Sequence, residues 1–396
     1  MTRAKKRRQY GTGSVYQRTS DGRWFGAYDV GFKKDGSRDR RTVSAKTEAE
    51  AKRKLTKKLR ELDRGQTTSS RTTVKAWAER WLEETQKSVT PNAHTTDRAA
   101  AGWIIETIGA RALDQVSPAD FRAVGNAIVA AGKSTSTAAR YQGTLRRMLG
   151  AAQVEGYAIQ PGALLVKART PAVSDRTAMA VEEALAVLEQ ASTLPHGSRW
   201  LAAFLQGARQ GECLGLTWPN AEGDLLRLAW QLQPLSYNVK RDRTSGFRVP
   251  DGYEAIQLEG RLHLVRPKSK AGWRVLPQVP LMSKALDHWR PASTSPHGLV
   301  WPDADGSPRD EDADRAEFHE LQRLAGVAHP SGRPYHGHEA RHTTATLLLS
   351  LGVDEATRIA IMGHSSIAST RAYEHRDLTL IRGALEKVAG RLALGQ

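Results

Sequence analysis

The spacing of apolar residues changes twice along this 396-residue chain, and each change limits what the adjoining stretch can become. Residues 10–43 alternate with a period of two in the runs YGTGSVYQR, DGRWFGAYDVGF and KKDGSRDRRTV, with Asp21-Gly22 and Asp35-Gly36 as hairpin turns between them. A helix is predicted next, because Thr47 and Glu50 have capping-box spacing and Ala51, Leu55, Leu59 and Leu62 form one stripe, with Gly65 as its stop. From Val74 to Val166 the period becomes helical throughout. Val74, Trp77, Trp81 and Leu82 mark one helix and Asn92 to Ile108 a second. Ser117-Pro118 opens a third, with Phe121, Val124 and Ile128 inward, and Ala138, Tyr141, Leu145, Met148 and Ala152 trace a fourth.

Two polar stretches, GQTTSSRTT (65–73) and KARTPAVSDRT (167–177), read as linkers. Beyond the second, the pattern is mixed. Val181 to Ala191 is amphipathic, Arg199 to Gln206 is apolar enough to be buried, and GARQGECLGLTW (207–218) is a turn into another helix. Leu225 to Leu235 and Ala255 to Arg266 read as strands, joined by a connection longer than most (236–254). PKSKAGWRVLP (267–277) reads as a hairpin turning at Ala271-Gly272. The rest is helical, interrupted by the acidic loop WPDADGSPRDEDAD. The expected fold is mainly α with small β-sheets (α+β) and multidomain. It comprises a three-stranded sheet plus helix over 1–66, a helical bundle over 72–168 and a mixed α/β domain over 174–396.

Charge narrows the class of partner. The chain carries 59 Lys+Arg against 42 Asp+Glu, a net +17, and residues 1–64 alone hold 20 Lys+Arg against 8 Asp+Glu, which is +12 of that excess. Such a balance favours a polyanion, above all nucleic acid, and strands bearing Arg and aromatics together can enter a major groove. The single Cys213 rules out an internal disulfide and suits a reducing compartment. No apolar h-region follows MTRAKKRRQ and no uncharged run reaches membrane-spanning length, so no membrane partner is expected and the expected location is cytoplasmic, with the nucleoid.

The chemistry concentrates near the C-terminus, in HGHEARHTTATLLLSLGVDEATRIAIMGHSSIASTRAYEH (336–375). Cutting a phosphodiester with a side chain requires fixed cations around the growing phosphoryl charge, a nucleophile that loses its proton and an acid for the leaving oxygen. Arginine suits the first task, because its planar fork bonds two oxygens and stays charged. Arg209, Arg341, His338, His364, a lysine at 268 or 270, and Tyr373 supply this set.

In these residues the chain resembles the tyrosine-type site-specific recombinases of the phage lambda integrase family. The pieces that carry the likeness are GARQGECLGLTW around Arg209, RPKSKAGWRVLP, HEARH at 338–342, MGHSS at 362–366 and STRAYEH at 369–375, and it covers residues from Val173 onward in detail. The resemblance implies that Tyr373 is the nucleophile, forming a 3′-phosphotyrosyl link. Arg209 and Arg341 would clamp the scissile phosphate, with His338 and His364 as further donors or proton-transfer groups. Lys268, favoured over Lys270 by its Pro-Lys-Ser opening, would protonate the leaving oxygen, and Glu212 would orient the site. It further implies no metal and no other cofactor, action on attachment sites in double-stranded DNA, and assembly as a homotetramer on that DNA. An excisionase or other directionality factor and a DNA-bending protein are implied as partners. The segment Leu380 to Leu392 would pack on a neighbouring subunit, and the first two parts would be an arm-type DNA-binding domain and a core-binding domain.

Two rival readings compete. HEARH fits H-E-x-x-H, in which His338 and His342 would bind zinc and Glu339 would act as base, but the extended zinc signature fails at Ala345 and Leu348. A catalytically inactive DNA-binding regulator predicts a missing catalytic group, and none is missing.

Overall fold

A computed structural model describes residues 13–32, 38–63, 72–267, 273–363 and 378–392. The chain divides into two compact units, 1–172 and 173–396, and the division falls inside the second predicted linker.

The first unit opens with β1 (Ser14–Gln17), β2 (Trp24–Phe32) and β3 (Arg38–Ala45), an antiparallel sheet in the order β1-β2-β3. The Asp21-Gly22 turn closes the first hairpin, with the Arg18 amide donating to Arg23 O at 2.8 Å. The Asp35-Gly36 turn and the Gly65 stop lie outside the described residues. Thr47 Oγ1 accepts from the Glu50 amide at 3.3 Å and opens α1 (Glu48–Asp63), which buries Ala51 and Leu55 as the stripe requires.

The helical part holds the four expected helices, α2 (Val74–Thr85), α3 (Pro91–Ile108), α4 (Pro118–Ala130) and α5 (Thr135–Val154). A fifth, one-turn helix, α6 (Pro161–Leu165), was not anticipated from the apolar spacing, since a single turn shows no period. Ser117 caps α4, its amide donating to Asp120 Oδ2 at 3.0 Å while its hydroxyl accepts from the Asp120 amide at 3.3 Å. Trp77, Ile104, Phe121, Val124, Ile128, Leu145 and Met148 form one buried cluster. Arg146 and Arg147 serve the fold itself: Arg146 donates to Leu164 O at 3.2 Å, and Arg147 pairs with the buried Asp97 at 2.5 Å. Lys133 and Arg140 remain exposed.

The second unit runs α7 (Val181–Ser192), α8 (Ser198–Leu205) and α9 (Gln210–Leu214), then five strands: β4 (Leu225–Leu228), β5 (Gln231–Pro234), β6 (Ala255–Glu259), β7 (Leu262–Val265) and β8 (Arg274–Pro277). The helices α10 (Pro280–Trp289), α11 (Glu311–Leu324), α12 (Gly337–Ser350), α13 (Glu355–Met362) and α14 (Leu378–Leu392) complete it.

The structure corrects three expectations. Each predicted long strand breaks in two, giving one sheet β4-β8 and another β5-β7-β6. Residues 225–235 break because they serve two cores: Leu226 and Leu228 join the main cluster with Leu276, while Leu232 packs with Leu214, Leu264 and Leu299. Residues 255–266 break at Gly260, whose positive φ turns β6 back onto β7. Consequently the strands flanking 268–272 belong to different sheets and do not form one hairpin ladder. Second, part of the acidic loop is the start of α11. Asp310 caps that helix by accepting from the Asp312 amide at 2.8 Å, and carboxylates suit the positive end of a helix dipole. Third, the apolar side of α14 is covered by its own unit, with Ile381, Leu385, Val388 and Leu392 in the main cluster. Among the described residues, no helix is long and apolar enough to cross a membrane.

Candidate active site

Gly207 begins the site. Its φ of +58° is the left-handed conformation, and a Cβ there would fall 2.9 Å from Met362 Sδ, so only glycine lets the backbone pass so close to α13. Two residues on, Arg209 occupies the N-cap position of α9, and Glu212 reaches back to accept from its amide at 2.9 Å. The other Glu212 oxygen accepts from Arg209 Nη1 at 2.6 Å.

Glu212 is fully buried and is gripped from its far side by Arg274 of β8, whose Nη1 and Nη2 each donate at 2.9 Å to a different carboxylate oxygen. Burial alone would raise the carboxyl pKa; Arg274 and then Arg209 outweigh it and hold Glu212 at about 2. The carboxylate thus stays ionised and fixes Arg209 from one side. On the other side Arg209 Nη2 donates to Gly363 O at 3.2 Å. About a third of the Arg209 side chain is exposed, so its guanidinium has a path to solvent.

Arg341 lies in the first turns of α12 and is only 2% exposed. It donates to Gly207 O at 2.5 Å and also to Met362 O. Burial, together with the nearby cations Arg274 and Arg209, lowers its pKa to about 9, still protonated at neutral pH. Both arginines therefore bind the last carbonyls of α13, which a helix leaves without internal partners. Gly363 ends that helix with φ +60° and ψ +45°. One end of one short helix collects two cations that are 132 positions apart in the chain.

His338 stands three residues before Arg341 on α12. Its ring reaches solvent and packs edge-on against His342, with centroids 4.9 Å apart. The protein packed around it, followed by His342, Arg341, Arg176 and Arg209, pushes its pKa down to about 4. It is a neutral imidazole at physiological pH, able to accept a proton.

Lys268, Lys270, His364 and Tyr373 lie outside the described residues. Both flanks of the lysine segment are anchored. Arg266 stacks on Trp230 at 3.8 Å and on Trp273 at 4.7 Å, and pairs with Glu254 at 2.9 Å.

The zinc reading of HEARH is not favoured by the position of Glu339. That carboxylate is fully buried and bound by both Arg333 nitrogens at 2.8 Å, by the His336 amide at 2.7 Å and by the Thr177 amide at 3.1 Å. With its oxygens so engaged it cannot serve a water as base. Among the described residues, no group of three His, Cys, Asp or Glu is placed to hold a metal ion.

Arg274 is the functional residue that sequence reasoning missed. It reads as one more basic residue of a predicted hairpin, and its partner lies 62 positions away. The only signal was a charge leading the otherwise apolar run RVLP.

A buried carboxylate thus holds Arg209 near Arg341 and a histidine-bearing helix on a mixed α/β unit, a cluster of donors able to bind an anion such as a phosphate. Comparison with known proteins agrees. The model of the phage integrase family matches residues 252–379. An integrase of Saccharopolyspora erythraea is 27% identical over 95% of this chain and 95% of its own length. The tyrosine recombinase XerC of Mycobacterium tuberculosis (strain ATCC 25177 / H37Ra) is 30% identical, covering 55% of this chain and 74% of that protein. In fold, the chain is similar to the Tn1549 transposon integrase in complex with transposon right end DNA, at a TM-score of 0.61 with 16% identity over 80% of this chain and 99% of that one. It is similar also to the lambda integrase tetramer bound to a Holliday junction, at a TM-score of 0.53 with 14% identity over 96% and 97%. The chain belongs to the tyrosine recombinase family and is a site-specific DNA recombinase.

Proposed function

We propose that this recombinase cuts and rejoins attachment-site DNA through Tyr373, integrating or excising a phage or other mobile element. The observation that carries the reading is the convergence of Arg209 and Arg341 on the end of α13, the helix that is followed in sequence by His364 and then by Tyr373. The guanidinium N–H groups that now donate to Gly207, Met362 and Gly363 carbonyls are the ones a scissile phosphate would compete for. A phosphate offers more charge than a carbonyl, and bidentate arginine contacts stabilise the extra charge of five-coordinate phosphorus.

In the proposed step, Tyr373 Oη attacks phosphorus and the P–O5′ bond breaks. The phenolic proton passes to His338, a weak base in the free protein that the negative charge of a bound phosphate would strengthen. Lys268 gives a proton to the departing 5′-oxygen, and His364 donates to a non-bridging oxygen. The phosphotyrosyl ester conserves the bond energy, so rejoining by a 5′-hydroxyl needs no external energy source. Glu212 and Arg274 touch no substrate and act by positioning Arg209.

By the same reading, residues 1–66 form an arm-type DNA-binding domain, 72–168 a core-binding domain and 174–396 the catalytic domain. The working assembly is a homotetramer on double-stranded DNA, as in the lambda integrase tetramer bound to a Holliday junction, with a directionality factor and a DNA-bending protein as accessory partners. Its place in the cell is with the nucleoid.

A nicked attachment-site duplex that loses its 5′-hydroxyl fragment should trap a covalent protein–DNA adduct migrating above the free chain in denaturing gels. The adduct should disappear in Tyr373→Phe; its persistence there would refute the nucleophile assignment. Deletion of residues 1–64 should weaken binding and flatten its salt dependence, because fewer phosphates are neutralised.

A further inference from the structure

The long connection between β5 and β6 is absorbed neither by the strand framework nor by the catalytic cluster. It is an ordered finger. The Arg248 amide donates to Ser236 O at 2.7 Å and the Asn238 amide to Gly246 O at 2.9 Å, so the two arms are stitched together. Tyr237 stacks on Phe247 with centroids 5.0 Å apart, and Phe247 meets the edge of the buried His263 of β7 at 4.2 Å. The buried Arg248 donates through Nη2 to Asn238 O at 2.8 Å. This base fixes the finger to the β5-β7-β6 sheet.

The tip, by contrast, is charged and uncovered. Lys240, Arg241 and Arg243 are all exposed, and no ion pair involves any of them among the described residues. Asp242, the carboxylate in their midst, is taken up by the Thr244 amide at 2.9 Å and hydroxyl at 2.6 Å. Arg176, Arg227 and Arg391 of this unit are likewise exposed and in no ion pair among the described residues, whereas Arg315 pairs with Asp312 and Arg323 with Glu320. Arg241 is also the only non-glycine with positive φ among the described residues, at 68°. Arginine adopts that conformation reluctantly, where glycine or asparagine would not. Holding a cation in a disfavoured backbone, on a rigid base, with the nearby Asp242 bonded to Thr244 rather than to a cation, is a poor arrangement for stability alone.

We propose that the finger tip Lys240–Arg243 is a phosphate-backbone contact that adds affinity for duplex DNA outside the catalytic cluster. Three cations on a preorganised turn suit the regular negative charge of a duplex backbone, and a contact made to phosphate carries no sequence information. The proposal rests on the recombinase reading above, and its test separates the two.

The full-length chain and the variant Lys240→Gln/Arg241→Gln/Arg243→Gln are titrated with a 60-base-pair duplex of random sequence from about 50 to 200 mM KCl. Three lost contacts should reduce the slope of log affinity against log salt by about 2 to 3. A matched variant, Lys284→Gln/Arg315→Gln/Arg323→Gln, removes the same charge from α10 and α11 and should leave the slope near that of the parent. Arg241→Gly removes both the strain and one cation, so its melting temperature should equal or exceed the parent's while its affinity falls. Equal slopes for parent and finger variant, an equal change in the matched variant, or undiminished affinity in Arg241→Gly would each overturn the proposal. Failure of the parent itself to bind duplex DNA would overturn the recombinase reading instead.

Discussion

Glu212 and Glu339 are built alike and used differently. Each stands at the third position of its helix, accepts from the backbone amide three residues earlier, is fully buried and is gripped by both nitrogens of an arginine fork. Both are held at about 2 despite burial that would raise them, Glu212 chiefly by Arg274 and Glu339 chiefly by Arg333. The difference lies in what else each carboxylate reaches. Glu212 also holds Arg209, which extends to Gly363 and to solvent. Glu339 also holds the Thr177 amide, and Arg333 continues to Asp175, so that pair staples the segment before α7 onto α12. One local device thus aims a cation proposed to hold the scissile phosphate in one place and fastens the chain in another.

Removing the two carboxylates should break this likeness most strongly. Glu212→Ala leaves Arg274 buried without its partner and should cost about 3–5 kcal/mol in unfolding free energy. Glu339→Ala should cost less, because Arg333 keeps Asp175 and is partly exposed. Urea denaturation of both variants checks this, and a larger loss for Glu339→Ala would contradict the comparison. Next in size, Arg341→Ala should slow adduct formation on a nicked substrate by about 10²–10³-fold with DNA affinity retained, by analogy with the loss of one oxyanion donor. Equal loss of binding would make Arg341 a structural residue.

The arginine forks sharpen the contrast. Arg274→Ala should lower cleavage roughly 100-fold at temperatures where the variant is folded, because Arg209 loses its aim. Arg333→Ala should instead cost about 1–3 kcal/mol of stability and leave the single-turnover rate of the folded fraction near that of the parent. The smallest effect is expected from mild acid. Both glutamates are depressed in the folded state, so their stabilisation is fully present above the unfolded value of about 4.3 and is lost as pH falls from there toward about 2. The urea midpoint should therefore drop only slightly between pH 5 and 4.5 and steeply below. A flat profile down to pH 3 would mean that neither carboxylate is held as described.

Much of the architecture was legible along the chain. The Ser117-Pro118 start of α4, the Thr47–Glu50 opening of α1 and the Asp21-Gly22 turn are local signals, set by contacts within a few residues. The division of 225–235 between two sheets was not, because a run of leucines does not say which of two cores each residue enters. For the site, Arg209, His338 and Arg341 were marked by type and spacing. The role of Arg274 was invisible, since an arginine in a strand earns its meaning from a carboxylate on another element.

The amino-acid sequence by itself determined the order of elements, the cationic character of the chain, and the set of groups available for phosphodiester chemistry. These follow from backbone preferences and side-chain types that act over one or two turns. Only the tertiary structure decided that Glu212 aims an arginine while Glu339 fastens a loop, and that Arg209 and Arg341 meet at the end of α13. Buried charges are stable only beside partners, and which partners arrive depends on packing between elements far apart in the chain.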